Sequence, residues 1–273
     1  VRALHGRQSS WEKKLIKKKL LVIKPPYTAF PVGFAYVLAC LGKYEIPFDF
    51  VDTTLPFLDY RRYIRKNDYL AVASGGLIGQ FRFFNEIIQN VRRINPDLPI
   101  ILGGNITKDI KHEFLLDKIG IDFAVVGEAE TSLPHLVNAI ANGQNDFSNI
   151  PGIIYKNKST GEVVKNMPQR LDLAGENILP AWQCFDLDYY SPMQGIPFLG
   201  NRSCMPVLSG RGCVGQCSFC SPTIGSFRKR PIRQVMEEIE FLNSKYNFEW
   251  IIICNEMAYQ TKEQVMIFCE AYK

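Results

Sequence analysis

Short unbroken apolar runs alternate with stretches of helical period through the first half of the chain. Leu20 to Ile23, Phe48 to Val51, Tyr69 to Ala73, Pro99 to Leu102 and Ile121 to Val126 are continuous rather than alternating. Strands covered on both faces read this way. Phe84, Ile87, Ile88, Val91 and Ile94 recur at helical spacing between the third and fourth runs, and Gly33 to Leu41 reads as a helix closed by Gly42. Five such strand–helix units predict a doubly wound parallel α/β sheet. The stretch "GIIYKNKSTGEVV", Gly152 to Val164, then predicts a hairpin turning over Asn157 to Gly161.

Beyond it the pattern weakens. Residues 165 to 203 carry Pro168, Pro180, Pro192 and Pro197 and little periodicity, as a linker packed against both neighbours would. Periodicity resumes with a strand at Pro206 to Ser209, a cysteine-bearing loop and a helix. That helix gathers Ile232, Val235, Met236, Ile239 and Leu242 on one face, with Glu237, Glu238 and Glu240 largely off it. Trp250 to Cys254 is the next strand, and a further helix follows from Lys262. The expected domains are 1–145 (the α/β sheet), 146–203 (hairpin and linker) and 204–273 (the opening of a second β/α unit).

Composition narrows the classes without choosing among them. At 273 residues, 47% hydrophobic and 22% charged, the chain has an ordinary globular make-up. A net charge of +5 without a basic stripe interleaved with aromatics gives no reason to expect a nucleic-acid partner. The densest basic run, "KKLIKKKLLVIK", reads as a solvated lead-in to the first strand. No apolar run approaches the ~18 residues of a membrane span. Eight cysteines without a secretory pattern point to a reducing cytosol rather than a disulfide framework. A first residue Val1 and an end at Lys273 within a helical pattern lead us to expect a segment of a longer protein, inactive alone.

"GRGCVGQCSFC" places Cys213, Cys217 and Cys220 at the spacing C-x3-C-x2-C, directly after a strand. Thiolates bind zinc or iron–sulfur clusters. A closed zinc site needs a fourth ligand. Cys204 lies at the far end of the predicted strand, and His5, His112 and His135 all lie in the first domain. A 4Fe–4S cluster held by three cysteines instead leaves one iron open, the counterpart of a catalytic metal with a vacant position. Gly215 gives the loop freedom to bend around it.

With Phe219 just before the last cysteine, this loop resembles that of the radical S-adenosylmethionine (SAM) superfamily. In that family the open iron is chelated by the amino and carboxylate groups of SAM. Reductive cleavage of the sulfonium then gives a 5′-deoxyadenosyl radical that abstracts hydrogen. The resemblance implies Cys213, Cys217 and Cys220 as ligands of a 4Fe–4S cluster, the first βα units of a partial TIM barrel, and SAM contacts at Phe219, Asn255 and Glu256. Asn255 and Glu256 stand at the strand end "CNEM", and a solvated strand end would also account for them. The family's glycine-glycine-glutamate motif is not present as such. "FRKRPI" carries Arg228 and Arg230, expected to be solvated rather than engaged with a carboxylate or phosphate.

The strand ends of the first domain are "KPPYTAFPVG", "SGGLIG", "GGNIT" and "GEAE". No G-x-G-x-x-G follows the first strand, so a dinucleotide is disfavoured. "LGGNIT…IDFAVVGEAETSLPHL" and "LPAWQCFDLDYY" resemble the cobalamin-binding domain found N-terminal to many radical SAM enzymes, a Rossmann or flavodoxin-like fold. The resemblance places cobalamin at Pro26, Tyr27, Ser74, Gly75, Gly76, Gly103, Gly104, Asn105, Gly127 and Glu128. The D-x-H-x-x-G motif that supplies a lower cobalt ligand in classical cobalamin proteins is absent from this chain.

The resemblance therefore implies a cobalamin-dependent radical SAM enzyme. Methyl transfer to an unactivated carbon is the first expectation, and rearrangement or cyclisation without net methylation is the alternative. It also implies a small-molecule or peptide substrate and an electron donor such as a flavodoxin or ferredoxin. A non-catalytic cobalamin or iron–sulfur module is the reading from another class, although an electron carrier would be expected to close its cluster with a fourth cysteine.

Overall fold

The computed structural model describes residues 16–55, 57–193, 203–218, 220 and 226–273, with no account of the side chains of 191–193. The first unit runs β1 (Leu20–Lys24), α1 (Val32–Lys43), β2 (Phe48–Asp52), α2 (Tyr60–Lys66), β3 (Ala71–Gly75), α3 (Phe81–Ile94) and β4 (Ile100–Gly103). The short helices α4 (Ile106–Asp109) and α5 (His112–Phe114) and a π-helical turn at Leu115–Ile119 precede β5 (Phe123–Val125) and α6 (Ala129–Ala141). The hairpin β6 (Ile153–Lys156) and β7 (Val163–Lys165) completes one seven-stranded sheet of order β2-β1-β3-β4-β5-β6-β7. Strands β1 to β5 are parallel, and β6 and β7 add on antiparallel.

Both faces of the sheet are covered, which is why its strands read as unbroken apolar runs. Alternate residues of β1 serve the two layers. Leu20 and Val22 pack with Leu38 and Leu41 of α1 and Leu136 and Val137 of α6. Leu21 and Ile23 pack with Ile64 of α2 and with Phe84, Ile87, Ile88 and Val91 of α3.

Gly42 does not close α1, contrary to the sequence reading. The helix continues through Lys43, and Glu45 takes the left-handed turn at φ 57°. Tyr44 N–H, Glu45 N–H and Ile46 N–H then cap the carbonyls of Cys40, Gly42 and Leu41. The expected hairpin turn is held by Asn157 Oδ1, which accepts from Ser159 N–H and Thr160 N–H at 2.8 and 3.2 Å.

The linker is more structured than its prolines suggest. It contains a 3-10 turn at Trp182–Cys184 and the helix α7 (Leu187–Met193). Leu171, Leu173 and Ile178 pack on Tyr36 and Cys40 of α1, and Ala181 N–H donates to Ala35 O at 2.9 Å.

The second unit opens with β8 (Cys204–Val207), followed by the two-residue ribbon β9 (Gly210–Arg211) and β10 (Arg228–Lys229). Next come α8 (Ile232–Lys245), β11 (Trp250–Ile253) and α9 (Lys262–Tyr272). β11 pairs with β8 in parallel, Trp250 opposite Cys204 and Ile253 opposite Val207. This is the start of a β/α repeat. Helix α8 buries Val235, Ile239 and Leu242 as expected, but also Glu238, which the apolar spacing places largely off that face. No helix among the described residues is long and apolar enough to cross a membrane.

Candidate functional site

In a sheet of order 2-1-3-4-5 the ligand crevice lies beyond the carboxyl ends of β1 and β3, where the helices on either side diverge. Lys24 ends β1 there and is fully buried. Its Nζ donates to Asp52 Oδ1 at 3.0 Å, Thr54 Oγ1 at 2.5 Å, Pro25 O at 3.1 Å and Tyr27 O at 3.2 Å. Tyr190 OH donates to Asp52 Oδ2 at 2.5 Å, so residues of β1, β2 and α7 share one buried network. Burial lowers the Lys24 pKa, and Asp52 opposes that shift. The ammonium also lies 4.0 Å from the centroid of the Tyr27 ring. The network therefore sets the course of the loop that carries Tyr27 and the exposed Pro26. Neither Lys24 nor Asp52 was singled out by the sequence reading. A lysine closing an otherwise apolar strand was the available signal.

Ser74 Oγ donates to Ile23 O at 2.7 Å and ties β3 to β1 at the crevice. The glycine pairs after β3 and β4 meet each other. Gly104 has φ +82°, and a Cβ there would lie 2.5 Å from Gly76 N. Gly76 N–H donates to Gly103 O, and Ile106 N–H donates to Gly76 O. The crossing of two loops thus requires glycine at 104 and leaves little room for a side chain at Gly75, 3.0 Å from Gly103 O. Asn105 precedes α4 in the same turn. Gly127, with φ +92°, turns the chain out of β5. Exposed Phe57, Leu77, Ile78 and Met167 follow β2, β3 and β7.

The cysteine loop leaves β9 at Arg211. A Cβ at Gly215 would lie 3.3 Å from Cys213 Sγ and 3.6 Å from Cys217 Sγ, so both sulfurs border the space that glycine leaves free. Gly215 N–H donates to Cys213 Sγ at 3.2 Å. Cys217 and Cys220 are exposed and Cys213 half-buried, and no disulfide forms. Among the described residues no three His, Cys, Asp or Glu side chains converge on one point. The donor set nevertheless suits a cluster by its chemistry: three unbridged thiols in one loop, two of them beside one glycine. Phe219 lies outside the described residues.

Asn255 follows β11, but its amide is engaged with protein. Oδ1 accepts from Ser209 N–H at 3.0 Å, and Nδ2 donates to Ser209 Oγ at 3.1 Å and Gly210 O at 3.0 Å. Asn255, expected at the SAM site, thereby ties the ends of β8 and β11. Glu256 is exposed beside it.

Glu128, expected at the cobalamin site, holds protein groups with its side chain: its carboxylate accepts from Arg211 Nη1 at 3.1 Å, Arg228 Nη2 at 2.8 Å and Leu171 N–H at 2.6 Å. Burial would push the Glu128 pKa up, but hydrogen bonds from Arg228 and the Leu171 amide, with the charge of Arg211, hold it below its ordinary value. Glu130 Oε1 accepts from Arg211 Nη2 at 2.7 Å. Arg228 and Arg230, expected in solvent, both meet carboxylates in the interior. Arg230 Nη1 bonds Glu238 Oε2 at 2.5 Å, Leu208 O at 2.7 Å and Tyr36 OH at 3.2 Å.

Residues 18–137 match the B12 binding domain family. The chain is 26% identical over 254 residues to "Uncharacterized methyltransferase PH0819" of Pyrococcus horikoshii, covering 86% of this chain and 52% of that protein. It is 30% identical over 189 residues to "Anaerobic magnesium-protoporphyrin IX monomethyl ester cyclase" of Rubrivivax gelatinosus, covering 67% of this chain and 33% of that one. The chain therefore spans about half or less of the length of these relatives. Its fold matches the cobalamin-dependent SAM radical enzyme OxsB with aqua-cobalamin bound, at a TM-score of 0.73 and 17% identity, over 93% of this chain and 37% of that one.

The chain carries an N-terminal B12-binding α/β domain. The β/α region joined to it resembles in fold the corresponding part of that cobalamin-dependent SAM radical enzyme.

Proposed function

We propose that this chain is the cofactor-binding portion of a cobalamin-dependent radical SAM enzyme that rearranges or cyclises its substrate without net methyl transfer. The observation that carries the reading is the joining of two edges. The stem of a three-cysteine loop is held by side chains that follow β5 of the B12-binding domain. Cys213, Cys217 and Cys220 would hold the 4Fe–4S cluster, and its open iron would receive SAM. Tyr27, Ser74 and the loops of Gly75, Gly76, Gly103 and Gly104 would border the cobalamin. When bound, the cluster supplies the electron that cleaves the SAM sulfonium, and cobalamin supplies a second reactive metal centre.

The protein contributes placement, which sets the distance and orientation of reacting groups. Lys24, Asp52 and Tyr190 fix the β1 loop, Asn255 fixes the end of β8, and Glu128 fixes the cysteine loop against the sheet. The bounds 1–145, 146–203 and 204–273 remain our division, with the hairpin β6–β7 adding to the first sheet. Similarity to a protein named as a cyclase supports ring closure or rearrangement over the methyl transfer first expected. Methyl transfer stands as the second reading, supported by the longer alignment with a protein named as a methyltransferase.

Product analysis separates them. The complete protein, reconstituted with iron, sulfide and cobalamin and supplied with SAM and a reductant, is expected to form 5′-deoxyadenosine without S-adenosylhomocysteine. Both products in matching amounts would establish the second reading. Neither product would overturn both.

A further inference from the structure

The cysteine loop is a closed hairpin loop. Its stem is the ribbon of β9 and β10, and residues 212–227 lie between the two strands. Arg211 and Arg228 are directly paired across that stem. Two like charges placed opposite each other on a two-residue ladder repel, and so short a ribbon has little else to hold it. The repulsion is offset from outside the ribbon. A single oxygen, Glu128 Oε1, accepts from Arg211 at 3.1 Å and from Arg228 at 2.8 Å. Glu130 takes the second amino group of Arg211 at 2.7 Å, and Leu171 O takes the second of Arg228 at 2.8 Å. The Arg211 guanidinium also lies 4.9 Å from the centroid of the Tyr36 ring of α1. The Glu128 side chain is 1% exposed and that of Arg211 11%, so water screens these pairs poorly.

We infer that Glu128, assisted by Glu130, is a positioning residue that closes the stem of the cysteine loop and seats it on the B12-binding domain. The inference rests on the cluster-binding reading given above for its catalytic meaning. Its structural content does not. Glu128 follows β5 directly after Gly127, at the carboxyl edge of the sheet, and Arg211 stands two residues before Cys213. One carboxylate thus fixes where the first thiol starts relative to the edge at which cobalamin would lie. The second interface pair, Arg230 with Glu238, bonds Leu208 and Tyr36 and does not bridge the stem. It provides an internal control for general loosening of the interface.

The test uses the complete protein and the variants Glu128→Gln, Arg228→Gln and Glu238→Gln. Two quantities are read: amide hydrogen exchange without iron, and iron bound per chain after anaerobic reconstitution. Cobalamin binding followed by absorbance reports whether the first domain is intact. Glu128→Gln is expected to speed exchange of the 210–211 and 228–229 amides by about tenfold, because an arginine pair left without its carboxylate opens the stem. Iron per chain should fall at least about threefold while cobalamin binding stays within about twofold. Arg228→Gln, which removes one of the repelling charges, should loosen the stem less than Glu128→Gln. Glu238→Gln should leave stem exchange near the wild-type rate.

Unchanged stem exchange in Glu128→Gln would overturn the inference, as would equal loosening of the stem by Glu238→Gln. Should Glu128→Gln lose cobalamin binding together with its fold, the order of Arg228→Gln and Glu238→Gln decides. Stem exchange faster in Arg228→Gln supports the inference, and the reverse overturns it. Wild-type protein that takes up no iron–sulfur cluster would instead refute the function proposed above, and the exchange readout would still decide this inference.

Discussion

Gly104 shows how a single residue is fixed by geometry rather than by contact with solvent. At φ +82° and with a hypothetical Cβ 2.5 Å from Gly76 N, it admits no side chain unless one of two crossing loops moves. Gly104→Ala should therefore cost about 1–3 kcal/mol of unfolding free energy in denaturant titrations. Gly42, inside α1 with nothing within 4 Å of its Cβ position, gives the opposite expectation. Gly42→Ala should stabilise by about 0.4–1 kcal/mol, because only the unfolded chain loses freedom. Lys24 is a stronger case. It is fully buried against Asp52, and Lys24→Met leaves that carboxylate with an uncompensated charge. The expected loss is about 3–5 kcal/mol, and the double variant Lys24→Met with Asp52→Asn should recover part of it. Equal losses in the single and double variants would show that the pair does not act as a unit.

At the scale of elements, the long strands and helices were legible because burial imposes a period on the sequence. β1, β2, α3, the hairpin turn and the resumption at β8 stand close to where apolar spacing placed them. β3, Ala71–Gly75, starts two residues later than its apolar run, and β5, Phe123–Val125, is shorter than its own, because Tyr69 and Ile121 are buried outside the ladder. Helix α2 carries Arg61, Arg62, Arg65 and Lys66 around only two buried residues, too faint a stripe to register. Glu238 borders the apolar face of α8, beside Val235 and Leu242, and apolar spacing alone gives no reason to bury a carboxylate there. What buries it is Arg230 and, from the first domain, Tyr36.

The three cysteines were legible in the candidate site because chemistry fixes their spacing. The clamp above them was not, since Glu128 meets Arg211 and Arg228 across 83 and 100 positions of sequence. Opposed charges in "GEAE" and "FRKR" were the only trace of it. Asn255 belongs to this scale too, since it bonds Ser209 and Gly210 at the end of β8. Asn255→Ala should cost about 1–3 kcal/mol of stability, and hydrogen exchange should rise first at the end of β8.

Over the whole molecule, two units share an interface in which buried carboxylates of one meet arginines of the other. The sign of its pH dependence follows from Glu128. Its folded pKa lies below the ordinary 4.5, so its contribution is present above pH 4.5 and is lost as the pH falls through the lower folded value. Unfolding free energy measured against pH should therefore decline below about pH 4.5, and more shallowly in Glu128→Gln than in wild type. Equal slopes would mean that this carboxylate carries no linkage.

The claim on which the functional reading stands is narrower: a cluster held by Cys213, Cys217 and Cys220 with one iron left for SAM. Mössbauer spectroscopy of the anaerobically reconstituted complete protein, before and after addition of SAM, tests it directly. The account predicts a 4Fe–4S spectrum in which one iron site alone shifts when SAM is added, and loss of the cluster in each single Cys→Ala variant. A spectrum indifferent to SAM, or a tetrathiolate zinc centre in place of the cluster, would contradict it.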